Sequence, residues 1–373
     1  MKCVLYIVLF FFSWFCAKTQ IKGFPKRYIN NLFNDTTSTS KPQFIYYPVL
    51  AYAPETSFEI GLSGLHVHYA KNDTTNRLSE MNAFVFFTFA KQYGGFFEHA
   101  LYSDKNKWFF LGKMKFQSFP LSYFGIGTNT TQKIARVDAF QIQLKERILH
   151  KIAHDFYGGL EFDFHSLSNV SFHEVRSSDF IPPPGSHGSN NIGLGFGLLH
   201  DNRHNVLNVR KGFFAETALL HYSTHFGSDF EFTTIITDWR LFRPVRKRNV
   251  LAFQFLGQVT LGHPPFNQMA LMGGETIMRG YYTGRYRDKN LAAFQIEYRM
   301  LPFSFVKRLG ATLFAGTATV SNEIGNFQSK NLVLAGGAGL RFLLFPKKDV
   351  WTRVDLGLTK EGHGIYIYVG EAF

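Results

Sequence analysis

Cysteine is almost missing from this chain: of 373 residues only Cys3 and Cys16 carry a thiol, and both lie among the first twenty positions. That segment, MKCVLYIVLFFFSWFCAKTQ, begins with one lysine, Lys2, continues with an apolar run from Val4 to about Ala17 and then turns polar, the layout of a secretory signal peptide. Cleavage is expected before Gln20, so that 1–19 is leader; lipid attachment at Cys16 is disfavoured because Ser13, Trp14 and Phe15 are too bulky for a lipoprotein site. A mature chain without cysteine has neither a disulfide framework nor a thiol active site. Charge is also scarce, at 18% of residues, and beyond Lys41 no apolar run approaches the roughly 18 to 20 residues of a spanning helix. The serine-hydrolase elbow Gly-x-Ser-x-Gly does not occur, and GLSG around Ser63 lacks its spacing. No third ligand at useful spacing joins His66 and His68, so no metal and no cofactor is expected, and the chain does not read as an enzyme.

What is abundant is aromatic and small: 43 Phe, 17 Tyr and 33 Gly, a balance that suits short twisted strands better than helices. The formal charge of +13 could point to nucleic acid, but the basic residues recur as small groups at turns and form no helix-like cluster. At turns they suit an anionic lipid surface, and lipid and lipopolysaccharide are the expected partners, with no nucleic acid. The dominant pattern is alternation. LAAFQIEYR sets Ala292, Phe294, Ile296 and Tyr298 on one face and Ala293, Gln295, Glu297 and Arg299 on the other. VWTRVDLGL sets Thr352, Val354, Leu356 and Leu358 against Trp351, Arg353, Asp355 and Gly357.

Sixteen strand-like runs follow one another between 43 and 373, including 43–53, 81–91, 290–301, 350–359 and a last one at 364–373. An even number of runs of about ten residues or more, behind a signal peptide, predicts an all-β fold: a transmembrane antiparallel β-barrel of the bacterial outer membrane. The three longest connections, about 119–133, 169–189 and 264–289, fall on the same side, while turns on the other side, such as Arg243–Arg248 and Pro346–Asp349, are short and basic. Long loops outside and short turns inside are the barrel asymmetry. Residues 20–42 are polar and read as a flexible periplasmic lead-in to a 43–373 barrel.

The longest connection contains GGETIMRGYYTGRYRDKN, and within it Met278-Arg279-Gly280-Tyr281. With YAPETSFEIG at 52–61, GLGFGLLHDNRHNVLNVRKGFF at 193–214, GRYRD at 284–288 and GAGLRF at 337–342, this resembles the outer-membrane insertase and translocase superfamily typified by BamA and TamA, in its surface-antigen barrel domain. The resemblance implies that the sixth external loop folds back into the lumen. A buried arginine needs an acid, and Glu297, on the polar face of the twelfth strand, is the partner implied for Arg279. The family's Phe-x-Asp-x-Gly is here Phe314-Ala315-Gly316-Thr317-Ala318, so its second carboxylate is missing and Asp355 is the substitute available. The closing strand is expected to carry Ile365, Ile367, Val369, Glu371 and Phe373 on one face, ending at Phe373 as its aromatic terminus.

Relatives that insert or translocate proteins carry periplasmic POTRA modules of roughly 75 residues, within ordinary small-domain size. Only 20–42 precedes the barrel here, so a barrel-only member is expected. The function implied is help in outer-membrane protein assembly or translocation. The alternatives are a structural barrel docked to a protein that supplies the periplasmic module, or a small passive pore.

Overall fold

The computed structural model describes residues 41–373 apart from 54–56, 119, 131, 174–179, 204–207, 246–247 and 347–348. The expected leader and nearly all of the lead-in, and parts of the quoted 52–61 and 193–214 blocks and of the two basic turns, therefore lie outside the described residues.

Sixteen long strands form one closed antiparallel barrel. They are β1 (Gln43–Ala53), β2 (Ser57–Tyr69), β3 (Leu78–Thr88), β4 (Tyr93–Tyr102), β5 (Trp108–Ser118), β6 (Ala135–Ala153), β7 (Phe156–His173) and β8 (Ser189–Asp201). The second half holds β9 (Gly212–Tyr222), β10 (Phe232–Val245), β11 (Asn249–Gly262), β12 (Asn290–Met300), β13 (Leu309–Ser321), β14 (Val333–Phe345), β15 (Val350–Thr359) and β16 (Gly362–Val369). Each strand pairs with its sequence neighbours, and β16 returns to β1. Three short pieces sit in the long connections: Leu121–Tyr123 adds to β6, and Ala270–Met272 pairs with Tyr286–Asp288 as a separate ribbon.

The alternation explains both faces. Phe196, 66% exposed, lies between Leu160 and Leu219 across its two neighbouring strands, and all three face outward. On β12 the outward side keeps Phe294 exposed while Gln295, Glu297 and Arg299 are buried; on β15 Val354, Leu356 and Leu358 are exposed and Arg353 and Asp355 buried. Apolar outside and polar inside is the inverse of a water-soluble sheet, and it fits hydrocarbon around the barrel. Closure supplies the rest: an open edge in lipid leaves backbone groups unpaired at several kcal/mol each.

Several boundaries differ from expectation, and two of them show why. The third strand runs 78–88 and not 81–91, because Leu78 pairs with Tyr69 at one end, while at the other Thr88 N–H donates to Gln92 O at 2.8 Å and closes a tight turn. The last strand begins at Gly362 and stops at Val369, where Gly370 takes φ +93° and turns the chain out of the sheet.

The inverted faces carry a direct test. Phe196→Arg, at mid-strand on the outer face, is expected to destabilise the barrel in lipid vesicles by about 2–4 kcal/mol, against less than ~1.5 kcal/mol for Phe196→Leu. Equal costs in a denaturant titration of vesicle-embedded protein would contradict the lipid-facing assignment.

Candidate functional site

The connection between β11 and β12 is built on the ribbon Ala270–Met272 with Tyr286–Asp288. Gly273 and Gly274, both at positive φ, bend the chain beyond the ribbon, and Gly274 N–H donates to Tyr281 O at 3.0 Å. At the tip Met278 (φ +54°) and Gly280 (φ +109°) flank Arg279. The loop comes very near β15: a Cβ on Gly357 would stand 2.5 Å from Arg279 carbonyl atoms, and one on Gly280 would stand 3.0 Å from Gly357 C. The two glycines let two backbones touch where any side chain would hold them apart. Gly280 N–H donates to the Tyr366 hydroxyl at 3.0 Å, which secures the approach from β16.

Arg279 is fully buried, and its guanidinium is shared between Glu297 on β12 and Asp355 on β15. Nη2 bonds Glu297, Nη1 stands 2.6 Å from Asp355, and the guanidinium lies 3.7 Å over the Phe314 ring. Three further arginines complete the network. Arg299 Nε is 2.8 Å from Glu297; Arg341 reaches Asp355 at 2.5 Å and Glu371 at 2.9 Å; Arg353 is 3.1 Å from Asp355 and donates to Glu275 O at 2.9 Å. Each carboxylate thus bridges two or more guanidiniums, an arrangement a buried charge needs if desolvation is to be offset. Met278 and Tyr281 pack in an apolar cluster with Ile277, Leu291, Ala293, Ala318 and Val320.

Every residue singled out in the loop is therefore placed in one contact set, together with both candidate acids. Gly316 occupies the slot of the absent second carboxylate, and a Cβ there would meet Met278 Sδ at 3.2 Å, so the methionine takes that space. Asp355 supplies the acid from two strands away. Phe373 and Glu371 depart from expectation. Beyond Gly370 the chain leaves the sheet, Glu371 binds Arg341, and Phe373 is buried beside Val209, Phe242, Val250 and Ala252 with its carbonyl oxygen accepting from Arg299 Nη2 at 2.8 Å. Phe373 is thus not the outward aromatic end of a strand.

Sequence reasoning did not assign roles to Arg299, Arg341, Arg353, Tyr366 or Gly357. The first three were readable only as members of a polar face; which acid each meets depends on strands far apart in sequence. His66 and His68 stand side by side with ring centroids 5.1 Å apart. Elsewhere in the loop Arg285 pairs with Glu361 at 2.5 Å.

A lipid-facing closed sheet with an ion network on its buried face defines the class: an integral β-barrel of the outer membrane. The chain belongs to the Omp85 superfamily, whose domain model matches residues 96–344. No curated protein matches the sequence. The fold is similar to BamA from Haemophilus ducreyi lacking POTRA domains 1–3, with a TM-score of 0.57 at 12% identity over 88% of this chain and 70% of that one. It is likewise similar to CdiB from Acinetobacter baumannii, with a TM-score of 0.56 at 8% identity over 88% of this chain and 59% of that one. CdiB from Escherichia coli gives 0.56 at 11% identity, over 92% and 68%.

Two measurements address this network. Arg279→Ala is expected to cost about 3–5 kcal/mol, because Glu297 and Asp355 lose a shared cation, and in combination with Asp355→Ala the losses should fall well short of additive. Additive losses in thermal or denaturant unfolding would mean that the pair is not coupled. Gly357→Val should expose the 273–288 segment to protease while leaving the barrel's heat-modifiable gel mobility intact; unchanged cleavage would contradict the glycine contact.

Proposed function

We propose that this chain assists the insertion or translocation of other proteins at the outer membrane, with the 273–288 segment held in the barrel lumen as a plug. The family and the ion network around Arg279 support the second half of that reading. The first half rests on one observation, the join between β1 and β16. Among the described residues these strands meet in register at the single pair Tyr52 with Ile367, whereas β15 and β16 run in register over eight pairs.

The physical cause lies in the chain's last residues. In the register of the Tyr52 pair, Glu371 would lie beside Pro48, yet it is drawn away to Arg341 after the bend at Gly370. Pro48 has no N–H to offer a partner strand, and prolines in sheets belong at edges. The register with β2 runs over all of Gln43–Ala53, whereas that with β16 is the Tyr52 pair alone among the described residues. Gly362 and Gly364 weaken the closing strand further. An edge of this kind can template a client strand by backbone pairing without breaking a full ladder.

Tyr52 and Ile367 are directly opposed, so cysteines there are close enough to bond, and the only native cysteines lie in the expected leader. Reconstituted wild type is expected to accelerate folding of a denatured barrel protein into vesicles. Oxidised Tyr52→Cys with Ile367→Cys should lose that effect and regain it on reduction. Equal acceleration in both redox states would sink the seam reading, and a large steady conductance of the wild type in planar bilayers would favour a passive pore instead.

A further inference from the structure

Phe305 lies outside the strands, on the 301–308 turn between β12 and β13, and is 80% exposed. Its ring stacks on Phe303, with centroids 5.1 Å apart and planes at 7°. The turn that presents the pair is firmly built. Leu301 is fully buried at its root with Leu343 and Trp351, Phe303 N–H donates to Leu309 O at 2.8 Å, and Arg308 O accepts from Leu343 N–H at 2.9 Å. Rings held in place this way keep apolar surface in the open that hydrocarbon would take up.

Cations surround the pair and acids do not. Lys307 and Arg308 follow it on the same turn and are exposed, and Arg248 of the neighbouring turn donates from Nη1 to Phe303 O at 3.2 Å. Arg243 is exposed at the end of β10. Residues 243–248 and 301–308 contain no aspartate or glutamate, and Arg246 and Lys247 add to the positive charge of the first. Asp349, on the turn between β14 and β15, is held by Arg210 at 2.9 Å and by Trp351 Nε1 at 2.9 Å, while Glu371 is held by Arg341. Among the described residues, none of Arg243, Arg248, Lys307 and Arg308 has a carboxylate partner.

Register gives the height of this rim relative to hydrocarbon. Arg243 is opposed to Leu251, and Leu251 to Tyr298, on the outer face of β10, β11 and β12. The Tyr298 hydroxyl accepts from Asn249 Nδ2 at 2.5 Å, and a ring with one polar end of this kind marks the boundary of a bilayer. The 301–308 turn begins just beyond it, at the level of lipid phosphates. A periplasmic protein would cover the rings but not an outward arginine level with Tyr298, and a free phosphate would have no use for the rings. We infer that the 243–248 and 301–308 turns form a docking site for an anionic phospholipid of the periplasmic leaflet, with Phe303 and Phe305 among the upper acyl chains and the four cations around its phosphate. The β2–β3 turn on the same rim differs, since Lys71 there pairs with Asp104 at 2.6 Å. The site depends neither on the seam nor on a client protein.

Because both native cysteines lie in the expected leader, a single label tests this. Bimane on Ser304→Cys, between the two rings, is read in phosphatidylcholine vesicles that contain a minor fraction of acyl-brominated phosphatidylglycerol or, separately, of acyl-brominated phosphatidylcholine. Brominated phosphatidylglycerol is expected to quench at a fraction at least about fivefold lower, the factor that one cation near an anionic surface supplies. Lys307→Gln with Arg308→Gln should bring the two lipids to within about twofold of each other. Equal quenching by both lipids without those substitutions would overturn the headgroup assignment. An equal preference with the label on Thr74→Cys, in the β2–β3 turn, would assign the effect to the whole barrel and overturn the site. No quenching by either lipid, in protein of native gel mobility, would overturn lipid docking and leave the rim to a periplasmic protein. Should the double variant fail to fold, salt decides on the labelled chain alone. The preference should collapse between about 0.05 and 0.5 M salt as the screening length shortens, and a preference that survives overturns the charge contact.

Discussion

A sheet in hydrocarbon must close on itself, because each backbone group left at an edge costs several kcal/mol. Closure has a second consequence that shapes everything inside. Sixteen alternating strands that turn their apolar side chains outward must turn their polar ones inward. Arg147, Arg299, Arg341, Arg353, Glu161, Glu297 and Asp355 are all buried, a set no soluble sheet would hold. The inner surface is therefore obliged to pair its own charges, and Arg279 joins that pairing from outside the sheet. Its two acids sit on β12 and β15, with Phe314 of β13 beneath the guanidinium. One side chain thus ties a connecting segment to three strands at once.

The way Asp355 substitutes for a missing acid shows how tolerant that arrangement is. The slot at Gly316 is closed by Met278, so an aspartate restored there would have to displace the thioether. Asp355 instead reaches Arg279 from β15 while also binding Arg341 and Arg353. A guanidinium presents its donors in a fixed fork, and carboxylates arriving from different strands can each take one arm. What the network requires is charge within reach, not a particular strand of origin.

The barrel was legible in the sequence because period-two alternation and strand number are local properties, and the faces of β12 and β15 follow from counting residues alone. Boundaries failed where the backbone and not the side-chain pattern decides. Ile365, Ile367, Val369, Glu371 and Phe373 continue a perfect alternation through Gly370, yet the positive φ of that glycine ends the strand and turns Glu371 and Phe373 to the buried side. Similarly Leu78 and Ser79 join β3 because β2 is long enough to pair with them. In the loop, Arg279 and its two acids could be anticipated from the motif and the polar faces. The contact of Gly280 with Gly357 could not, since a close approach of two backbones leaves no trace in composition.

The tight inner network and the loose seam have one cause in common. Glu371 can bind Arg341 only if the chain leaves the sheet after Val369, and by leaving it ends the β16 ladder short of Pro48. A charge-assisted contact on the buried face is thus made at the expense of backbone pairing at the closing edge. In a protein selected for barrel stability alone, a longer β16 would recover that pairing, since every added residue in hydrocarbon satisfies backbone groups that are otherwise costly. The exchange makes sense where an incompletely paired edge is itself useful. Under the proposed assembly role, a weak seam beside a firmly tethered loop would let the wall open while the interior keeps its charges paired.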